Sequence, residues 1–355
     1  AAPRVLRAAE AWRGLIRGCP LRARPALAAS FGNGAAAPLA QLASTFRGAG
    51  NPRVAKALLR LTADAVDSLA PHAPTPADGA ALARWALSIA RAHAASRAGF
   101  VAVAASARLR EAEADDRERE LRALVKLVAR LASRAAVADS VVLETTAASS
   151  SESEEDASLS VFSAFEALLP LVTPEALSYP KLAQAYYGLL GDVLETWPER
   201  VPTLPAELGS ALLTSLDAGA ASSDHKSAGP CLEALGSLAR WAASNATVQG
   251  PTAQGAQQLG SALASRFVGP LLSRLLLDGS TGGNGLSSGL SATVSRQATD
   301  AGADALLPLA SAAPLAWREA CDALVASVAA SSGEGGEGQR AERLRAALAA
   351  FEAGA

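Results

Sequence analysis

Apolar residues recur at intervals of three and four along nearly the whole chain, in segments separated by short turns of Pro, Gly, Asn or Asp. That spacing gives each segment one apolar stripe to bury against a neighbour, and no run alternates in the way a strand requires. Helices are expected at about residues 4–18, 35–47, 53–70, 77–95, 98–135 (with a break inside it), 159–172, 179–197, 205–218, 224–244, 253–278, 289–312, 315–331 and 339–353. The stripes consist mainly of Ala and Leu, both strong helix formers, and alanine allows two helices to approach closely. Half the chain is hydrophobic while only 4% is aromatic, so small aliphatic side chains carry the core. The expected fold class is all-α.

The turns are chemically specific. Trp197-Pro198-Glu199-Arg200-Val201-Pro202-Thr203-Leu204-Pro205 holds three prolines. Pro198 stops the helix before it, and Pro205 stands where the first turn of the next helix tolerates a missing N–H, so the run reads as a corner between helices. Asp224 and the pair Asn51-Pro52 have the chemistry of helix N-termini. Helix pairs beginning near 159, 205, 253 and 315 recur roughly forty to sixty residues apart, the lower values being those of two-helix solenoid repeats. An α-solenoid of antiparallel helix pairs follows, with helical repeats over 1–135, an acidic Ser/Glu-rich loop over 136–158, and further repeats over 159–355 interrupted by a flexible Gly/Ser/Asn loop at 279–289. A third polar stretch, Ser332 to Gln339, is too rich in Gly and Glu to pack.

A formal charge of −2 and a pI near 6.0 create no global field that would attract nucleic acid or an anionic bilayer. The most apolar stretches carry Arg274 or Asp322 and fall short of the roughly 20 residues that span a membrane, so no membrane insertion is expected. Cys19, Cys231 and Cys321 are odd in number and far apart, which suits reduced, buried thiols. The chain opens Ala1-Ala2-Pro3 and contains no Met, and it is expected to belong to a longer protein.

Short matches to catalytic motifs lack their contexts. Gly285-Leu286-Ser287-Ser288-Gly289 fits the nucleophile elbow of α/β-hydrolases, but its flanks are Gly/Ser-rich and no His follows His225. Ser178-Tyr179-Pro180-Lys181 and Ser223-Asp224-His225-Lys226 fit S-x-x-K, yet both are explained by helix-start chemistry. His72, His93 and His225 stand apart from one another and from the cysteines, without metal-ligand spacing. No Gly-rich phosphate loop follows a strand. No catalytic residue, cofactor or metal is therefore expected. Glu111, Glu113, Asp115, Asp116, Glu118 and Glu120, interleaved with arginines, read as a solvated, salt-bridged helix face that could also dock a partner. Ser149, Ser151 and Ser153 each precede an acidic residue by three positions, which marks them as candidate sites for acidophilic kinases.

The segment Ser227 to Ala239, with Cys231-Leu232-Glu233-Ala234-Leu235 at its centre, resembles the second helix of a HEAT repeat. Read with Tyr179-Pro180-Lys181-Leu182, Gln184, Tyr186-Tyr187, Glu195-Thr196, the proline corner to Pro205, Leu208 and Ser215-Leu216, it resembles the export branch of the importin-β superfamily of nuclear transport receptors. That pattern reads F-P-x-L, Q-Y-Y, F-P-E-K-[IV]-P-x-L-P, S-L and C-L-E-A-L at these spacings. Trp197 stands where the pattern has Phe, and the loops at 145–158 and 279–289 are longer here. The resemblance implies HEAT-type repeats in an armadillo-like superhelix. It also implies transport from nucleus to cytoplasm of folded cargo, such as translation factor 5A-like or Smad-like proteins, together with GTP-bound Ran and past nuclear pore proteins. In such arrays the second helix of each pair lines the concave face, which makes Lys181, Glu195, Lys226, Glu233 and Arg240 the candidate cargo or partner contacts. Tyr187 and Trp197 are expected to pack instead. The other reading is a static solenoid scaffold with no GTPase link.

Overall fold

The computed structural model describes residues 2–39, 41–42, 52–98, 107–145, 161–222, 224–246, 250–276, 289–331, 342, 344–346 and 348–350. Every regular element among them is helical. The chain forms two compact units, Ala1–Asp192 and Val193–Ala355.

The first unit contains α1 (Ala2–Gly18), α2 (Arg24–Ser30), α3 (Pro52–Ser68), α4 (Pro76–Ala98) and α5 (Ala107–Thr145), then a helical stretch over 161–168. The expected loop start at 136 gives way to helix, since α5 continues to Thr145. Between α1 and α3 the sequence suggests little order before residue 35. The chain nonetheless winds through a 3₁₀ turn, α2 and a π-helical turn at Phe31–Ala35. Phe31 explains why that turn holds. It is fully buried and meets Trp12 and Trp85 edge-on, with ring centroids 5.4 and 5.3 Å away, while Trp85 Nε1–H donates to the Ala36 carbonyl at 2.8 Å. Around this aromatic trio, Ile16, Leu58, Leu61 and Leu69 complete one apolar cluster. α3 is the hub of the unit, packing against α1, α4 and α5.

Helix α6 (Pro180–Thr196) crosses from one unit into the other. The short helix before it is capped by Thr173, whose hydroxyl accepts from the Ala176 N–H. The second unit then begins near the expected corner, where Pro198–Thr203 form a 3₁₀ helix and Pro205 immediately precedes α7 (Ala206–Ala220) with no side-chain cap. Asp224 opens α8 (His225–Asn245), its carboxylate accepting from the Lys226 N–H at 3.3 Å and the Ser227 hydroxyl at 3.0 Å. α9 (Pro251–Leu276), α10 (Gly289–Ala312) and α11 (Pro314–Ser331) follow. Pro230 and Pro270 lie inside α8 and α9, and each follows a glycine, whose missing Cβ removes the clash that a proline ring makes with a helical residue before it. Neighbouring helices approach closely because the contact residues are small. A Cβ on Gly260 would stand 3.3 Å from that of Ala312 and 3.6 Å from that of Ala242, and one on Gly236 would stand 3.6 Å from the Ala305 Cα. In this unit α8 touches α7, α9 and α10, and α9 touches α10 and α11.

Candidate functional site

Three helices of the first unit carry basic residues on one face. On α1, Arg13 and Arg17 are one turn apart. On α3, Arg60, Asp64 and Asp67 follow at intervals of four and three. On α5, Arg119, Arg122, Lys126 and Arg130 follow at intervals of three and four. Because α3 packs against both α1 and α5, the three faces meet around one groove of about 410 Å³. Apart from Ala63 and Ala123, its lining is entirely charged, with seven basic side chains and two carboxylates.

Most of these cations are held by neighbouring carboxylates. Asp64 Oδ2 accepts from Arg13 Nε at 2.9 Å and from Arg17 Nε at 3.0 Å, and its Oδ1 accepts from Arg17 Nη2 at 3.0 Å. Arg13 is buried and also pairs with Glu10, whereas Arg17 is largely exposed and Asp64 holds its guanidinium pKa above the ordinary value. Arg130 reaches Asp67 at 3.2 Å, and Arg134 donates to the Asp67 carbonyl at 2.9 Å. Arg122 pairs with Glu118, and Arg119 pairs with Asp115 and Asp116. Two cations differ: Arg60 and Lys126 are exposed and have no hydrogen bond or ion pair among the described residues. The surplus positive charge is felt nearby. Lys56, one turn before Arg60, has its ammonium pKa pushed below the usual lysine range, first by burial and then by Arg60, Arg119 and Arg122, with Asp116 opposing.

The acidic run on α5 therefore divides. Glu118 pairs with Arg122 with its side chain only 10% exposed, and Asp115 and Asp116 form with Arg119 the solvated ion pairs that the sequence suggests. Glu120 does not: it is buried with His93 of α4, Oε1 to Nε2 at 2.9 Å. The likeness of Glu120 to its exposed neighbours conceals that turn of the helix, since a single face change separates the solvated pairs from the α4 contact.

The five expected contact residues, Lys181, Glu195, Lys226, Glu233 and Arg240, are all exposed. Lys181 belongs to the first unit and the other four to the second. Lys226, Glu233 and Arg240 recur every seven residues on α8 and so share one stripe, spaced about 10 Å apart along the axis. The opposite side of α8 is core, with Cys231, Leu232, Ala234 and Leu235 buried. Tyr187 and Trp197 are likewise buried, as is Cys321, while Cys19 is only half-buried. Ser149, Ser151, Ser153 and most of the G-x-S-x-G match lie outside the described residues. Among the described residues no cluster of His, Cys, Asp and Glu has the makings of a metal site, and no helix is long and apolar enough to cross a membrane. No model of a known protein family matches the chain.

Proposed function

We propose that the chain is a protein-binding helical array of the nuclear export type, similar to exportin-4, and that its helix pairs are HEAT-type repeats stacked as a solenoid. In this reading it binds folded cargo together with GTP-bound Ran and shuttles between nucleus and cytoplasm. The observation that carries the proposal is the fate of the run from Tyr179 to Leu235. Its signature residues take the roles that such a pattern needs: Tyr186, Tyr187, Leu232 and Leu235 are core, Trp197 and Val201 are buried at the proline corner, and Lys181, Glu195, Lys226 and Glu233 are exposed. The pattern is thus written in packing residues, and this supports a shared architecture. The packing of helices on the next and the next but one, α8 on α9 and α10, α9 on α10 and α11, is also the neighbour pattern of a stack of helix pairs.

Partner contacts in this reading fall on the α8 stripe of Lys226, Glu233 and Arg240, with Lys181 and Glu195 on α6. The test is capture of Ran by the full-length protein with cargo present, comparing Ran locked with GTP against Ran loaded with GDP. Retention that requires GTP is the expected result. Binding of partners that is indifferent to the nucleotide would favour a static scaffold, and no Ran binding at all removes the export reading. Reversing the charges of Lys226, Glu233 and Arg240 together is expected to weaken cargo or Ran capture without changing the helical circular dichroism signal.

A further inference from the structure

We infer that the groove between α1, α3 and α5 is a docking site for an acidic polypeptide segment of a partner protein, with Arg60 and Lys126 as the cations that meet its carboxylates. The inference does not depend on nuclear transport; it needs only that the chain binds a protein carrying such a segment.

Charge distribution is the first support. The chain as a whole has a formal charge of −2, yet the groove lining carries seven basic groups against two acidic ones. The lining thus has a charge opposite in sign to that of the chain as a whole. The second support is the division of labour among the cations. Arg13, Arg17 and Arg130 are tied to Asp64 and Asp67 on α3, and their ion pairs explain how three helices rich in arginine can pack side by side. Arg60 and Lys126 contribute nothing of that kind. They stand on a face already crowded with cations, and Arg60 is, after burial, the largest cause of the lowered proton affinity of Lys56. An incoming anion relieves that crowding.

The lining also selects among anions. It contains no aromatic side chain, so nothing stacks bases, which is how single-stranded nucleic acid is usually held. Only Arg60 and Lys126 of the lining have no carboxylate partner among the described residues, which is few for a polymer that carries a charge on every unit. A peptide places its carboxylates discretely. It can present one to the planar fork of Arg60, which suits a carboxylate bidentately, and another to the ammonium of Lys126, while setting neutral residues against the aspartates. Because both cations are exposed, binding is expected to be moderate in strength and sensitive to salt, screened over about 8 Å at physiological ionic strength.

The test uses the full chain and a fluorescein-labelled octapeptide of alternating Glu and Ser, read by fluorescence anisotropy at low and high NaCl. A Gln/Ser peptide and an oligothymidylate of equal charge serve as comparisons. Saturable, salt-sensitive binding of the Glu peptide, absent for the Gln peptide, is the expected outcome. The pair Arg60→Glu and Lys126→Glu is expected to lower that affinity at least tenfold, and Arg60→Gln with Lys126→Gln by a smaller factor. Both substituted positions are exposed, and unchanged circular dichroism and melting verify that the variants fold. No saturable binding of the Glu peptide, an affinity unmoved by either double variant, or tighter binding of the oligothymidylate would each overturn the assignment. Ran capture, measured separately, is unaffected by these outcomes.

Discussion

Replacing Asp64 by alanine removes the carboxylate on which two arginines of α1 converge. Its cost divides unequally. The Arg17 pair is largely exposed and is worth less than about 1 kcal/mol. The Arg13 side chain is only 10% exposed, and its 2.9 Å charged hydrogen bond is worth about 2–3 kcal/mol. Glu10 remains within 3.0 Å of Arg13, so the guanidinium is not left wholly uncompensated and the loss stays below the extreme seen for stranded buried charges. The expected destabilisation is about 3 kcal/mol, or a fall in melting temperature of roughly 6–12 °C for a unit of this size. Urea unfolding followed by circular dichroism measures it, with Arg17→Ala as the comparison at under about 1 kcal/mol. The same change makes the groove more positive, so affinity for the acidic octapeptide is expected to rise while stability falls. An Asp64→Ala chain within about 0.5 kcal/mol of the parent, or an Arg17→Ala chain destabilised as much, refutes the reasoning.

Gly260→Val is expected to cost about 1–3 kcal/mol by overpacking, because a Cβ there already stands 3.1 Å from the Ala312 carbonyl oxygen. Gly14→Ala, in open space in the middle of α1, is expected to stabilise by about 0.5–1 kcal/mol, and paired thermal melts distinguish the two signs. Burial pushes the Cys231 thiol up to about 12 from an ordinary 9.0. Since the unfolded chain gives up this proton near pH 9 and the folded chain keeps it, stability is expected to fall between these values by up to about 1.4 kcal/mol per pH unit. Cys231→Ala should remove that part of the slope, and in native buffer Cys19 should be alkylated well before Cys231, as mass spectrometry would reveal. Asp224→Ala is expected to cost about 1–2 kcal/mol through the lost cap of α8, whereas Asp224→Asn stays near neutral; equal losses in urea titrations would contradict the capping role.

Helices were legible wherever one physical signal was strong. Asp224 and the prolines from Pro198 to Pro205 mark ends that the structure places within a residue or two of expectation, because capping and missing N–H groups act locally. The region from Pro20 to Ala35 was not legible. Gly32 and Gly34 look like breakers, and what overrides them is burial of Phe31 between Trp12 and Trp85, partners nineteen residues before it and fifty-four after. The basic groove was hidden for the same reason. Its signal exists, in the three- and four-residue spacing of Arg119, Arg122, Lys126 and Arg130, but that pattern alone describes any solvated helix face. Only the packing of α3 between α1 and α5 brings Arg13, Arg17 and Arg60 beside it. His93 and Glu120 needed a tertiary contact too, since neither differs in its local sequence from an exposed residue.

Ridges of Leu or Ile fix two helices in register, because a slide must lift one ridge over the next. Where Gly236 meets Ala305, and Gly260 meets Ala312 and Ala242, the ridges are one methyl high or missing. Sliding α10 along α8 or α9 by a fraction of a turn therefore displaces little side chain. Helices joined in this way yield to a load by shear shared among many contacts, and no single loop has to serve as the hinge.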